Sequence, residues 1–285
     1  MTVKEVMVIG AGQMGAGIAL VFARSGYEVK LYDADIGALK RGKQYIEKIF
    51  EKDVAKGKME ADTKEQALNR LQLVVDLDAD PITADFIIEA VVEKLEVKKD
   101  VFRRLDELAP SHSLFATNTS SLPITEIAAV TGRAEQFIGM HFMNPVPVMK
   151  LVEIIRGLET SDATYQTVQQ LAEALGKQDV EVKDFPGFAS NRILMPMINE
   201  AVYTVFEGVA SIEDVDQVMK LGMNHPMGPL QLADFIGLDT CLSIMEILHE
   251  GFGDSKYRPC PLLRQYVQAG RLGKKAGKGF YSYTD

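Results

Sequence analysis

The sequence predicts an α/β protein in which a doubly wound, Rossmann-type sheet with a helical hairpin insertion is followed by an all-α C-terminal domain. Three observations support this fold class. A glycine-rich turn joins the first predicted strand to the first predicted helix, strand-like and helix-like segments then alternate over roughly 180 residues, and only helical patterns follow. We therefore expect one domain over residues 1–184 and a second over residues 185–285.

Length and composition limit the class of protein. At 285 residues the chain is long for one core, which favours two domains. The formal net charge of −9 argues against general nucleic-acid binding. No apolar run reaches the roughly 18 residues of a membrane span, no signal peptide is evident, and two cysteines, Cys241 and Cys260, are too few for a disulfide framework or a cysteine metal cluster. These features indicate a cytoplasmic enzyme with no nucleic-acid, membrane or metal partner.

The start of the chain carries a dinucleotide-binding pattern. An apolar strand, residues 6–9, precedes a glycine-rich turn that opens a helical pattern, and the turn consists of Gly10, Ala11, Gly12, Gln13, Met14 and Gly15. The first glycine permits the tight turn, the second lets the backbone approach a pyrophosphate, and the third allows close packing of helix and strand. The helix N-terminus then offers free N–H groups to the phosphates.

Asp33 follows the second predicted strand, residues 28–32. Its carboxylate can accept hydrogen bonds from both hydroxyls of an adenosine ribose and would repel a 2′-phosphate, which favours NAD over NADP. FAD remains an alternative here, although no later part of the sequence indicates a flavin. Further elements continue the alternation, with strands at 71–75, 84–91, 113–117, 137–142 and 151–155 and helices at 95–108 and about 163–175.

A long helical stretch, from about residue 36 to residue 70, separates the second and third strands. A simple crossover needs far less chain, so we expect a helical hairpin that projects from the sheet. Lys48, Lys52 and Lys56 recur every four residues and would line one of its faces. This line is compatible with a solvated helix side and with a binding strip for an anionic ligand tail.

Polar residues follow two of the strands, where ligands lie on such a sheet. Residues 117–121, TNTSS, contain more polar side chains than a helix cap requires, although one hydroxyl is expected to cap the next helix.

Glu153 lies among apolar residues of strand 151–155, and a buried carboxylate is costly unless paired. Its nearest sensible partner is His141 on the preceding strand. A carboxylate on one ring nitrogen fixes the tautomer and raises the basicity of the other, which predicts a general base; a purely structural histidine is the alternative.

The second domain reads as helices at 191–206, 212–221, 230–248 and 262–269, joined at glycines and prolines. A bundle of this size with much apolar surface predicts a dimerisation unit. Asn191 stands just after the linker, where the two domains are expected to face each other.

Taken together, these segments resemble the 3-hydroxyacyl-CoA dehydrogenases, and most of all their bacterial short-chain members, the 3-hydroxybutyryl-CoA dehydrogenases. The resemblance covers essentially the whole chain. It is carried by VIGAGQMGAGIA, EAVVEKLEVKKDVF, ATNTSSLPITEIA, GMHFMNPVPVMKLVEII, DFPGFASNRIL, NHPMGPLQLADFIGLD and GKKAGKGFY. The fourth block is highly specific, whereas the glycine pattern alone is not.

The resemblance implies roles for individual positions. His141 matches the catalytic base, Glu153 the acid that holds it, Ser120 a serine that contacts nicotinamide and substrate, and Asn191 an asparagine near the reacting carbonyl. Further matches to NAD contacts are Asp33, Glu93, Lys98, Asn144 and Lys275. Lys56, with Lys52, matches the hairpin contact with coenzyme A, which favours the binding interpretation of the lysine line.

The implied activity is a reversible, NAD-dependent interconversion of 3-hydroxyacyl-CoA and 3-ketoacyl-CoA, such as acetoacetyl-CoA, by a homodimer in fatty-acid or butanoate metabolism. One alternative is a β-hydroxyacid dehydrogenase acting on free acids. Such enzymes rely on a lysine in the C-terminal domain, and the arrangement of His141 and Glu153 argues against one here. Another is a non-catalytic NAD-binding protein, like the lens crystallins of this lineage. The intact set of His141, Glu153, Ser120 and Asn191 argues against it.

Overall fold

The computed structural model describes residues 2–283. These residues divide into two compact units, one ending at Asp184 and the other beginning at Phe185. A search of the described helices finds none that is both long enough and apolar enough to cross a membrane.

An eight-stranded sheet forms the centre of the first unit, in the order β3-β2-β1-β4-β5-β6-β7-β8. The first six strands run parallel, β7 pairs antiparallel with β6, and β8 runs parallel to β7. The strands are β1 Glu5–Ile9, β2 Glu28–Tyr32, β3 Leu71–Val74, β4 Phe86–Glu89, β5 Leu114–Thr117, β6 Phe137–Phe142, β7 Leu151–Arg156 and β8 Gln178–Lys183. The doubly wound sheet predicted from the alternating pattern is confirmed.

The strand order reverses between β1 and β4, which are neighbours although they are not consecutive. In doubly wound sheets this reversal opens a crevice beyond the carboxyl ends of the strands, and ligands bind there. Every residue of β4, β5 and β6 is buried, as expected of strands covered on both faces.

Six α-helices accompany the sheet among the described residues of the first unit. They are α1 Gln13–Arg24, α2 Ile36–Ala55, α3 Ala61–Asn69, α4 Leu95–Leu108, α5 Ile124–Ala128 and α6 Asp162–Ala174. The predicted hairpin is formed by α2 and α3. The prediction that this hairpin projects from the sheet is wrong. It packs against the domain, because Leu39, Ile46 and Phe50 belong to the same core cluster as Phe22 of α1.

Two further features of the first unit differ from the sequence prediction. The edge strand β8 was not predicted, because its residues are mostly polar and none is fully buried. The helix after residues 117–121 is not capped by one of their hydroxyls. Instead, the Asp184 carboxylate accepts the N–H groups of Ile124 and Thr125 at 3.0 and 2.8 Å.

The second unit is helical, as predicted. Its helices are α7 Ser190–Phe206, α8 Ile212–Gln217 with a π-helical turn over Val218–Gly222, α9 Pro229–Ile236, α10 Leu238–Phe252 and α11 Pro261–Gln268. The prediction of one helix over 230–248 is wrong. Gly237 takes φ of 104°, which is outside the helical region and open mainly to glycine, and it separates α9 from α10.

Buried carboxylates tie the end of the chain to this bundle. Asp234 accepts the N–H groups of Phe280 and Tyr281, each at 2.9 Å, and Asp216 accepts the Tyr281 hydroxyl at 2.8 Å. Burial raises the pKa of Asp234, against the lowering effect of its hydrogen bonds.

Candidate active site

The turn between β1 and α1 needs its glycines. Gly10 takes φ of 102°, and a Cβ there would lie 2.7 Å from the Ala90 carbonyl oxygen at the end of β4. A Cβ on Gly15 would lie 1.8 Å from the carbonyl oxygen of Gly10, so helix and turn pack directly against each other. A Cβ on Gly12 would meet nothing within 4 Å. The second glycine therefore faces open space, where a pyrophosphate can approach the backbone.

The surroundings of this turn suit a dinucleotide. Gly12 is the N-cap of α1 and has no side chain to cap the helix, so the first N–H groups remain for a phosphate. Gln13 and Met14 begin the helix. The Asp33 carboxylate holds the turn by accepting the Ala11 N–H at 2.7 Å, and it lies at the carboxyl end of β2, where an adenosine ribose binds in such folds. The residues present thus fit NAD.

His141 and Glu153 are direct cross-strand neighbours in the antiparallel pair β6–β7. The distance from His141 Nδ1 to Glu153 Oε2 is 2.8 Å, and both side chains are buried. With the Nδ1 proton facing the carboxylate, Nε2 is the nitrogen that can take a proton from a substrate. The structure therefore brings together the two residues that the sequence suggested as an acid–base pair.

The end of β6 is anchored by Asn118. Its side-chain oxygen accepts the N–H of Phe142, the residue after His141, at 2.8 Å. Asn118 stands directly after β5, so the polar stretch predicted to contribute to the site fixes the strand that carries the imidazole. Sequence reasoning did not assign this role to Asn118.

Glu93 holds the loop after β5. One carboxylate oxygen accepts the Thr119 hydroxyl at 2.6 Å, the Ser120 N–H at 2.8 Å and the Ser120 hydroxyl at 3.1 Å. Burial acts to raise the pKa of Glu93, but Lys98 and these hydrogen bonds outweigh it and hold that pKa below its usual value. Glu93 and Ser120, both predicted cofactor contacts, thus lie together at the carboxyl ends of β4 and β5.

Lys98, another residue that matches an NAD contact of the family, is buried. Its side chain is 1% exposed, and its ammonium lies 2.7 Å from Glu89 and 3.2 Å from Glu93. Glu89 also accepts the Thr117 hydroxyl at 2.7 Å and the Val91 N–H at 2.6 Å. Sequence reasoning missed Glu89, yet a carboxylate closing the apolar run FII was a usable signal, since it must find a partner.

The loop between β6 and β7 contains Asn144, which precedes a cis peptide bond to Pro145. The Asn144 side-chain oxygen accepts a hydrogen bond from the Gln13 amide at 3.1 Å, which links this loop to the glycine turn. From the other side, the buried Lys177 ammonium donates to the carbonyls of Val146 and Met149 at 2.5 and 2.7 Å. Burial lowers the pKa of Lys177. Nothing in the sequence indicated this residue.

The remaining predicted residues belong to the hairpin and to the second unit. Lys52 and Lys56 are exposed on the hairpin. This exposure agrees both with a solvated helix side and with a binding strip for an anionic ligand tail. In the second unit, Asn191 is buried in the first turn of α7. Lys275 lies 2.6 Å from the carboxylate of Asp239.

Comparison with known proteins matches both units. The family model described as "3-hydroxyacyl-CoA dehydrogenase, NAD binding domain" matches residues 5–185, and that described as "3-hydroxyacyl-CoA dehydrogenase, C-terminal domain" matches residues 187–283.

Individual proteins are similar over the full length. A probable 3-hydroxybutyryl-CoA dehydrogenase of Bacillus subtilis is 59% identical over 285 residues, which are 100% of this chain and 99% of that protein. The 3-hydroxybutyryl-CoA dehydrogenase of Bradyrhizobium diazoefficiens is 53% identical over 281 residues, covering 99% of this chain and 96% of its own. The crystal structure of (S)-3-hydroxybutyryl-CoA dehydrogenase from Ralstonia eutropha is 46% identical, with a TM-score of 0.96 and 100% coverage of both chains.

Proposed function

This chain belongs to the 3-hydroxyacyl-CoA dehydrogenase family, and on that premise we propose that it interconverts 3-hydroxybutyryl-CoA and acetoacetyl-CoA. It is an oxidoreductase whose cofactor is NAD, and the prediction of NAD is thereby confirmed. The short-chain substrate is supported by the relatives at 50–59% identity that carry this name. Family membership also argues against the alternatives that act on free acids or lack catalysis.

The observation that carries the mechanism is the buried contact between His141 and Glu153. In the oxidation direction His141 takes the proton from the 3-hydroxyl of the substrate as the C3 carbonyl forms. In the reduction direction the imidazolium returns that proton to the developing alkoxide. Glu153 stabilises the imidazolium, because a buried cation needs an adjacent anion. The bound cofactor supplies the chemistry of accepting or delivering hydride.

Other residues bind and orient. We assign Asp33 to the adenosine ribose, residues 10–15 to the pyrophosphate, and Glu93, Lys98, Ser120 and Asn144 to the nicotinamide half, because they lie beyond the carboxyl ends of β4, β5 and β6. Ser120 and Asn191 contact the substrate, Lys52 and Lys56 the phosphates of coenzyme A, and Lys275 the cofactor. A cytoplasmic location remains a prediction from the sequence.

A steady-state assay with purified protein tests this function. Acetoacetyl-CoA with NADH should be turned over efficiently, and NADPH poorly, because Asp33 repels the 2′-phosphate. Free acetoacetate should show a kcat/KM at least about 10²-fold lower, since the binding energy of the coenzyme A portion is lost. Equal rates with acetoacetate and acetoacetyl-CoA would overturn the proposal, and longer 3-ketoacyl-CoAs measure the range of chain length.

We further propose that the second unit forms a homodimer interface. A groove of about 450 Å³ on this unit is lined mainly by apolar side chains, among them Met197, Ala201, Val215, Val218 and Met219. Val209, which also lines the groove, is 72% exposed, and Leu221, two residues after Met219, is 79% exposed. Exposed apolar patches of this kind mark protein interfaces, and a second copy is the occupant most consistent with its position on the helical unit.

Sedimentation tests the dimer. Wild-type protein should sediment as a dimer, whereas Val218→Asp should shift it toward monomer because a charge would be buried in the interface. Val75→Asp changes a valine of similar exposure, 55% against 58%, in the first unit, and should leave the dimer intact. A wild-type monomer at micromolar concentration, or a dimer unaffected by Val218→Asp, would contradict this interface.

A further inference from the structure

Three charged side chains form a connected cluster at the carboxyl ends of β4 and β5. Lys98 lies between two carboxylates, 2.7 Å from Glu89 and 3.2 Å from Glu93. The cluster contains one ammonium and two carboxylates, and it therefore carries a net charge of −1. Such a net charge has electrostatic consequences for whatever binds beside it, because a site at the edge of a sheet is screened less than open solvent.

The negative charge is concentrated on Glu93. Glu89 is fully buried and lies closer to the ammonium of Lys98, so Lys98 compensates the charge of Glu89 more than that of Glu93. Glu93 is the outer member, with its side chain 35% exposed. Its other partners are uncharged donors on Thr119 and Ser120, which stabilise the anion without cancelling its charge. The depressed pKa of Glu93 agrees with a carboxylate that stays ionised.

The position of this anion relative to the cofactor follows from the sheet order. In a doubly wound fold the two halves of a dinucleotide bind on either side of the point where the strand order reverses. Asp33, at the end of β2, marks the adenosine side, so the nicotinamide side is that of β4 and β5. A Cβ on Gly10 would lie 2.7 Å from the carbonyl oxygen of Ala90, directly after β4, so the glycine turn lies close to the start of the loop that carries Glu93.

We propose that Glu93 sets the preference of this enzyme between the two redox forms of its cofactor. The oxidised nicotinamide ring is cationic and the reduced ring is neutral, so the carboxylate of Glu93, in a cluster whose net charge is −1, stabilises the oxidised form more than the reduced form. This inference rests on the placement of the nicotinamide half proposed above. Glu93 then does more than contact the cofactor. Its negative charge, and not its hydrogen bonds, determines which redox form binds more tightly.

Two consequences follow for the reaction. Selective stabilisation of the oxidised form makes the bound reduced form a stronger hydride donor, which favours reduction of the 3-keto group on the enzyme. It also weakens retention of NADH relative to NAD⁺ after oxidation of a 3-hydroxyacyl substrate. A tenfold preference corresponds to about 30 mV for a two-electron couple.

Binding measurements on the full-length protein without substrate test the proposal. Dissociation constants for NADH, from its fluorescence, and for NAD⁺, from calorimetry, would be compared for wild type, Glu93→Gln and Glu93→Asp. The ratio Kd(NAD⁺)/Kd(NADH) should rise about tenfold in Glu93→Gln, or about 1.4 kcal/mol. In Glu93→Asp the charge remains, so the ratio should stay within about twofold of wild type even where both affinities fall.

The matched control is Glu96→Gln. It removes the same charge from the nearby first turn of α4, but from a side chain that is 73% exposed, and it should leave the ratio unchanged. An equal loss of affinity for both forms in Glu93→Gln would mean that Glu93 only positions the loop, and the proposal would fail while the site assignment stood. No change in either affinity would overturn both. A ratio that rises equally in Glu93→Asp would also refute the role of charge.

Discussion

His141→Gln is expected to lower kcat for the reduction of acetoacetyl-CoA by about 10²–10⁴-fold, the usual worth of a positioned general acid or base. Glutamine keeps much of the size and polarity of the side chain but cannot take up and return a proton. NADH affinity should be nearly unchanged, because His141 is not among the residues assigned above to the cofactor. Steady-state rates together with NADH titration measure both quantities.

The chain offers a close control in His112. This histidine also faces a carboxylate, with Nε2 3.5 Å from Asp85, but its side chain is 54% exposed. Asp85 directly precedes β4, so the pair lies at the opposite edge of the sheet from the carboxyl ends. His112→Gln should therefore retain wild-type turnover. If His141→Gln were equally active, His141 would have no part in proton transfer.

Glu153→Gln is expected to reduce kcat by about 10²-fold or more, an effect in the range of a lost general base. The amide is nearly isosteric with the carboxylate but neutral, so it cannot stabilise an imidazolium. Its NH₂ group can also donate to Nδ1, which would place the ring proton on Nε2 and block that nitrogen as the base. The loss should appear in kcat with NADH affinity retained.

A neighbouring glutamate on the same sheet provides the comparison. Glu181 lies on β8, is 39% exposed and pairs with Arg156. Glu181→Gln removes a charge without touching the imidazole and should leave kcat unchanged. Full activity of Glu153→Gln would contradict this role and show that the carboxylate is not needed for proton transfer.

The fold was largely predictable from local patterns. Apolar runs such as FIGMHF and the helix Leu95–Leu108 have unambiguous periodicity, and the structure places both elements at the predicted residues. Two features depended on information that periodicity lacks. The apolar pattern runs through Gly237, and only its backbone conformation divides α9 from α10. β8 is an edge strand with little apolar burial, so its sequence gave no strong strand signal.

In the candidate site, the cost of burying a charge was the most useful guide. This rule paired Glu153 with His141, and the antiparallel register of β6 and β7 places them directly opposite each other. Applied to Glu89, the same rule would have found Lys98, nine residues further on. Lys177 and Asp184 could not be found this way, because their partners are backbone groups brought close only by the tertiary fold.

The central claim is that the imidazole of His141 exchanges a proton with the C3 oxygen of the substrate. A crystal structure of the protein with NAD⁺ and acetoacetyl-CoA tests it most directly. We predict hydrogen-bond distance, about 2.6–3.2 Å, between His141 Nε2 and that oxygen, with Glu153 retained on Nδ1. A complex in which another side chain contacts the C3 oxygen and the imidazole lies beyond reach, with no bridging water, would contradict the account.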